Sequence, residues 1–290
     1  MSDPGFPLSV LIVTLNEERN LPACLDGVAW ADDIVVFDSH STDATVEIAR
    51  ARGARVVQRV FDDFSSHRNW ALNHVDFAHE WVLLLDADEC VTDELAKEIR
   101  SVLEGGTTHD AFMLRFRFVW RGRWLKHGAR HPVWGVRLLR VGRGSYENRL
   151  VHEHIVVSGS VGRLRHFLHE DDDKGLERYI DRHNHYSTLE AVEVARARRG
   201  HVNVGVRLLG GPARRRALKN WAYRYVPARP LFVFLYVYFM RLGFLDGRGG
   251  FESAMLRAIY EFQIDLKLRE LAVRGSPLEH RWRDYIEGGR

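Results

Sequence analysis

Residues 83–90 read LLLDADEC, so three leucines run directly into Asp86, Asp88 and Glu89 within four positions. Carboxylates that close raise one another's pKa and repel unless a cation or solvent compensates them. Two readings are open. The cluster is a solvated loop, or it holds a hard divalent cation, which prefers oxygen ligands. Two further polar clusters raise the same question. Thr14, Asn16, Glu17 and Glu18 overlap and follow the end of the apolar run LSVLIVTL, and Asp38, Ser39 and Ser41 follow DIVVF.

The elements around these clusters decide where they stand. LSVLIVTL (residues 8–15) is a continuous apolar run of strand length, as expected for a strand buried on both faces. Asn20 then predicts a helix start, with Pro22 in the first turn. DIVVFDS (33–39) is a second strand, and Ser41 or Thr42 caps a helix that stops at Gly53. RVVQRV is a third strand, SSHRNWALNHV a helix capped by Ser65 or Ser66, and WVLLLD a fourth strand. Thr92 caps a helix through Leu103, which Gly105-Gly106 ends. This alternation predicts an α/β fold, a Rossmann-like and mostly parallel sheet with helices on both faces. Ligands of such sheets bind beyond the carboxyl ends of the strands, where all three clusters fall.

After Gly106 the pattern changes to half-exposed strands, with Arg115 and Arg117 alternating with Phe116 and Phe118, and from Gly175 helical spacing returns. The expected divisions are 1–108, a nucleotide-binding half; 109–174, an acceptor-binding and catalytic half; and 175–290, a helical, basic extension.

The 290 residues are 46% hydrophobic and 28% charged, so a folded chain is expected. The net charge is +3, with acids concentrated before residue 105 and arginine dense after 115, which suits an anionic partner for the second half. Cys24 and Cys90 form no disulfide framework and suit a reducing compartment as small buried groups. The start MSDPGFPLSV lacks the charged and apolar regions of a signal peptide. The longest apolar run, LFVFLYVYFM (231–240), falls short of the ~20 residues of a spanning helix. No G-x-G-x-x-G follows the first strand and no G-x-x-x-x-G-K-[ST] occurs, so dinucleotide and P-loop sites lose their main support.

The segments LSVLIVTLNEERNLPACL, IVVFDSHSTDAT, SSHRNWAL and WVLLLDADE, in that order, resemble the nucleotide-sugar half of family 2 glycosyltransferases of GT-A fold. Further on, GRWLKHG, RLLR, LVHEHI, GRLRHFLHE and RLGFLDGRGGF resemble a bacterial subgroup acting in lipopolysaccharide core or other envelope glycan assembly. The resemblance implies a nucleotide-sugar donor, most often of UDP, a Mg or Mn ion, and inverting transfer to a glycan or lipid-linked acceptor. It places Thr14, Asn16 and Glu17 along the nucleoside, Asp38 at the base edge and Arg68 at the base or diphosphate, with Asn69 bracing the loop. Asp86 and Asp88 match the D-x-D positions. The resemblance implies that the second is the metal ligand and the first a contact to ribose or, through water, to the metal; the role of Glu89 stays open.

Inversion needs a general base opposite the leaving diphosphate. Glu153 is the candidate, on a strand-like segment whose alternation turns His152 and His154 to the other face. His169 is a candidate to complete the metal site; His152, His154 and His166 read as structural. Arg137 and Arg140 are candidates for donor phosphates or an anionic acceptor, Arg140 equally for plain surface charge, and Trp120, Trp124 and Trp134 offer faces for sugar stacking.

Aromatics interleaved with Arg224, Arg229, Arg241 and Arg248, after Arg214-Arg215-Arg216, suit an interfacial helix on an anionic leaflet, or else core or an oligomer contact. The chain is thus expected at the cytoplasmic face of the inner membrane, with no nucleic-acid partner. Three rivals remain. A haloacid dehalogenase-type phosphatase would carry Thr or Val where Cys90 stands. A sugar nucleotidyltransferase would need a glycine-rich basic loop in place of TLNEERN. The third is a non-catalytic nucleotide-sugar or glycan-binding module.

Overall fold

The computed structural model describes residues 5–128, 131–200, 223, 226 and 228–288. The chain divides into two compact units, Met1–Lys126 with Arg130–Gly175, and His127–Ala129 with Leu176–Arg290.

Unit 1 is built on a mixed sheet. Strands β1 (Phe6–Thr14), β2 (Ala31–Asp38), β3 (Arg55–Gln58) and β4 (Trp81–Asp86) alternate with helices α1 (Leu21–Val28), α2 (Thr45–Ala51) and α3 (Phe64–His74). The short β5 (Glu89–Val91) and helix α4 (Asp93–Glu104) follow. Then come β6 (Ala111–Trp120), β7 (Arg123–Trp124), β8 (Trp134–Arg140), β9 (Gly144–Tyr146), β10 (Ile155–Val157) and β11 (Val161–Glu170). Among the described residues the sheet order is β3-β2-β1-β4-β8-β6-β11-β5, with β7 on β6 and a separate β9–β10 pair. The β3-β2-β1-β4 half is wholly parallel, while β8 runs antiparallel to both β4 and β6.

The apolar runs of β1, β2 and β4 pack on both faces because their alternate residues enter two different cores. Leu8, Val10, Ile12, Val36, Leu83 and Leu85 join α1, α2 and α4. Leu11, Val35, Phe37, Val82 and Leu84 join α3 and Tyr146. A buried strand needs such apolar residues at every position, which is why these read as unbroken runs.

Two of the four expected helix starts, those at Asn20 and Thr92, are observed, and two differ. Thr92 does cap α4, accepting from the Leu95 N–H at 3.2 Å. Asn20 makes no cap bond, α2 starts after Ala44, and Asp63 caps α3 in place of either serine. In each case the expected side chain is engaged elsewhere: Asn20 and Ser41 on site loops, Ser65 Oγ donating to Asp63 at 2.8 Å. Cys24 is buried as expected, whereas Cys90 is only partly so.

Unit 2 contains α5 (Gly175–Arg198), α6 (Arg229–Leu235), a π-helical turn (Tyr236–Met240), a 3₁₀ turn (Gly243–Asp246), α7 (Gly247–Leu271) and α8 (Pro277–Ile286). The glycines of FLDGRGG act structurally. A Cβ on Gly250 would stand 1.9 Å from the Gly243 carbonyl oxygen, so the turn closes onto α7 only with glycine there. Asp246 accepts from the His127 N–H at 2.7 Å. Arg229, expected on a basic rim, is instead buried and paired with Glu261 and Asp265. Arg214, Arg215, Arg216 and Arg224 lie outside the described residues.

Candidate active site

Strand register brings the carboxyl ends together. Thr14 pairs with Asp38 across β1–β2, and Val13 with Asp86 across β1–β4, so three parallel strands end in one row. Asp86, at the last position of β4, is the hub. Its Oδ1 accepts from Arg68 Nη2 at 2.5 Å and its Oδ2 from Arg137 Nη2 at 3.1 Å. Arg68 extends from α3 and also donates through Nη1 to Glu153 Oε1 at 2.9 Å. Arg137, on β8, closes on Glu89 through Nη2 at 2.5 Å and Nε at 3.0 Å. Carboxylates and guanidiniums therefore alternate: Glu153, Arg68, Asp86, Arg137, Glu89. This is what settles the repulsion that LLLDADEC poses, since two of its three acids are compensated by arginines distant in sequence.

Burial sharpens the electrostatics. Glu89 is 2% exposed and burial pushes its pKa up against the pull of Arg137. Burial likewise raises Glu153, with the Arg68 charge acting in the opposite sense. Tyr146 completes the cleft, its ring 5.4 Å from the Arg68 guanidinium. Asn69 fixes it in both directions, donating to the Tyr146 carbonyl at 2.9 Å and accepting from its N–H at 2.7 Å. Asn69 is thus the expected brace. Tyr146 was missed, for no motif marks it. Glu153 itself lies in the irregular segment between β9 and β10, not on a strand, and His152 has a left-handed φ of 55°. Strand alternation therefore does not orient these histidines.

The nucleoside-side candidates form a tied set of loops. Asp38 is fully buried; its oxygens accept from Thr14 Oγ1 (3.0 Å), Ser41 N (3.0 Å), Ser41 Oγ (2.5 Å) and Gln58 Nε2 (2.9 Å). Burial alone would raise its pKa, but the hydrogen bonds outweigh it and hold the carboxylate below its ordinary range. An aspartate so saturated braces the β1 and β2 loops; contact with a base edge would require breaking those bonds. Asn16, with φ of 55°, accepts from Thr42 N at 2.8 Å, while its own N–H donates to Ser41 Oγ at 2.8 Å. Glu17 pairs with Lys174 and accepts from Asn20 at 2.9 Å, and Asn20 also donates to Asp172 at 3.1 Å. The run DDDK after β11, overlooked as a site signal, ties the β1 loop to the far end of the unit.

Asp38→Ala is expected to lower stability by about 1–3 kcal/mol through unsatisfied buried donors. Because the folded pKa is depressed, the carboxylate's contribution is present above the ordinary pKa and lost as pH falls through the folded value. Urea denaturation should therefore show the wild-type advantage at pH 7 shrinking below about pH 4. A gap independent of pH would refute the bracing role.

The proposed metal set is not assembled. Among the described residues no group of three or more His, Cys, Asp or Glu side chains is arranged for an ion. Register sets His169 opposite Cys90 and beside Arg117. Burial, then Arg117, lowers its pKa, against the opposing charge of Glu94. Asp88 stands at the turn into β5, its carbonyl accepting from the Asp171 N–H at 2.9 Å. The remaining candidates are occupied structurally. Arg140 pairs with Glu80 and bonds the Thr107 carbonyl, and His166 bonds Glu98 at 2.8 Å. Trp124 has Arg117 over its ring at 4.3 Å and Trp134 has Arg163 at 5.4 Å, while Trp120 lies beside Phe118.

Known proteins align with this chain over most of its length or over part of it. The lipopolysaccharide core biosynthesis glycosyltransferase LpsC of Rhizobium meliloti (strain 1021) is 27% identical, covering 91% of this chain and 93% of that protein. Staphylococcus aureus TarS 1–349 aligns at 16% identity and a TM-score of 0.46, over 97% of this chain and 92% of that one. Glucosyl-3-phosphoglycerate synthase from Mycobacterium tuberculosis, solved with Mn2+, UDP-glucose and phosphoglyceric acid, aligns at 25% identity and 0.32, over 40% and 44%. The sequence model of glycosyl transferase family 2 matches residues 9–171, from β1 to just past β11 and so through every element that supplies the cleft. On that match over more than half of its length, the chain belongs to glycosyl transferase family 2, and it is a glycosyltransferase.

Proposed function

We propose that the chain moves a sugar, with inversion, from a nucleotide-sugar of the UDP type to a hydroxyl of a glycan or lipid-linked acceptor in bacterial envelope assembly. The observation that carries this is the bond from Arg68 to both Glu153 and Asp86. It holds a carboxylate of raised pKa beside a guanidinium pair at the strand ends, where a donor diphosphate would lie. Arg68 and Arg137 have the planar fork that matches phosphate oxygens. The envelope acceptor is supported by the name of LpsC alone.

In this reading Glu153 accepts the proton of the acceptor hydroxyl as its oxygen attacks the anomeric carbon. The bond from that carbon to the diphosphate oxygen breaks, and its electron pair leaves with the nucleoside diphosphate. Arg68 and Arg137 stabilise the charge that gathers there. Thr14, Asn16 and Glu17 shape the nucleoside side of the cleft.

A divalent cation fits this donor set in one way. Mg2+ commonly takes one or two carboxylates plus substrate phosphates, so a cluster of three side chains is not required. We propose Asp88, the second aspartate of D-x-D, as the ligand, with Asp86 as its partner and His169 outside the set. When bound, a Mg or Mn ion would neutralise charge on the leaving diphosphate.

Thermal shift with UDP-sugars tests the reading, since a ligand at 100 times its Kd adds about 2.7 kcal/mol to stability. A UDP-sugar is expected to raise Tm more with Mn than with a chelator, and Asp88→Ala to lose that difference while keeping the ligand-free Tm. Equal shifts with and without metal would refute the cation, and no shift with any nucleotide-sugar would refute the donor class.

A further inference from the structure

Helices that face water are polar outside and apolar inside. Helix α7 buries one apolar face, with Ala254, Ala258, Ile264 and Leu268, and yet carries a second outside. Its outer face over four turns is Phe251, Met255, Ile259, Phe262 and Leu266, each 37–50% exposed. Every charged residue between 252 and 267 is engaged within unit 2. Glu252 bonds Arg248 at 2.9 Å and Arg257 bonds Glu261 at 2.5 Å. Glu261, 2% exposed, also takes Arg229 and the Tyr223 hydroxyl, and Asp265 takes Arg229 at 2.8 Å. Lys267 reaches Asn184 and Ser187 of α5, each at 2.7 Å.

The same face continues onto α6 and the π turn, where Leu231, Phe232, Leu235, Tyr236, Phe239 and Met240 are 39–72% exposed and no charge interrupts residues 230–240. Phe251 joins the two arms, meeting Phe234 at 5.8 Å and Tyr238 at 5.7 Å. Among the described residues no single helix is long and apolar enough to cross a membrane; the pair Arg229–Met240 and Gly243–Leu271 passes on length and composition but bends by 70°.

A protein partner would require about one hydrogen bond per 100–200 Å² of interface, and this face offers a single side-chain hydroxyl, that of Tyr236. Acyl chains require none. Exposed arginines bracket the α7 strip, Arg248 before it and Arg269 and Arg274 after it, at positions suited to phosphate headgroups. We propose that α6 and α7 insert this face into the acyl layer of one leaflet of an anionic phospholipid bilayer, lying along the surface without crossing it. The proposal deepens the lipid-linked acceptor reading, resting on it for purpose only; its structural support is confined to unit 2.

Flotation of the 290-residue chain with phosphatidylethanolamine–phosphatidylglycerol vesicles tests it, with the UDP-sugar thermal shift read on the same samples. The wild type should float. Ile259→Glu and Phe239→Glu should each lower the floated fraction roughly tenfold or more, with the donor shift unchanged. An environment-sensitive dye on Ile259→Cys should shift to the blue on vesicles, which reads insertion without a charge in the face. A wild type that stays at the bottom, equal flotation of both glutamate variants, or an unshifted dye overturns the proposal. So does a dimer in lipid-free solution that Ile259→Glu dissociates while the wild type ignores vesicles, which would give the face to a second copy. Loss of flotation leaves the donor reading standing, and loss of the donor shift leaves the insertion standing.

Discussion

Glu153→Gln is expected to lower turnover by about 10²–10⁴-fold, the usual contribution of a positioned general base, with donor affinity nearly unchanged. The amide keeps the shape and an oxygen that can still accept the 2.9 Å bond from Arg68, so the cleft should survive. What it loses is the ability to take a proton. The acid side of the wild-type pH–rate profile should follow Glu153, because only its carboxylate form is a base. Burial raises that pKa, so the acidic limb should lie above the ordinary value of about 4.3. Stability should run the other way. A raised folded pKa means that folding favours the protonated group, so its contribution is present below the ordinary pKa and lost as pH rises through the folded one. The glutamine variant, which mimics the protonated form, should therefore match or exceed the wild type in stability at neutral pH and lose that advantage in acid. Undiminished turnover, or an acidic limb unmoved by the substitution, would place the base elsewhere.

The strands and the row of strand ends were legible because parallel strands buried on both faces need unbroken apolar runs, and such runs stop where the chain meets the ligand. Asp86, Arg68 and Glu153 follow from that placement together with motif resemblance. Apart from Thr92, the side-chain caps were not legible, since Ser65 and Asn20 had several partners to choose from and only the folded context decides among them. Glu89 read as a third acid of a loop because β5 becomes a strand only by pairing with β11, some eighty residues later. His169 was named for the metal by family resemblance, and the pairing of β11 with β6 sets it beside Arg117. In α7 the direction of the charges at 252–267 was not legible either, because the groups that turn them inward, Arg229 and α5, are distant in sequence.

Arg137→Met should be the most destabilising single change in the cleft, by about 3–5 kcal/mol, because it leaves Glu89 buried without its counter-charge. Methionine retains length and an apolar stem near Phe116, whose ring lies 5.1 Å from the Arg137 guanidinium, so lost packing is a minor part. The penalty should depend on pH with a definite sign. Burial already raises the Glu89 pKa, and removing Arg137 raises it further, so the variant suffers most where Glu89 must ionise and recovers as protons are supplied in acid. Adding Glu89→Gln should restore stability to within about 1–2 kcal/mol of the wild type, since a paired loss leaves no orphaned charge. Activity should not return with it. Asp86 would still lack its 3.1 Å bond from Arg137, and a donor diphosphate would meet one guanidinium in place of two. Urea denaturation of the two variants across pH, read beside turnover, separates these effects. A cost below about 1 kcal/mol for Arg137→Met, or one that does not vary with pH, would mean that Glu89 is not held as an ion. Recovery of stability without activity would instead give the acids of LLLDADEC separate roles, in which Glu89 positions Arg137, and Arg137 with Asp86 faces the substrate.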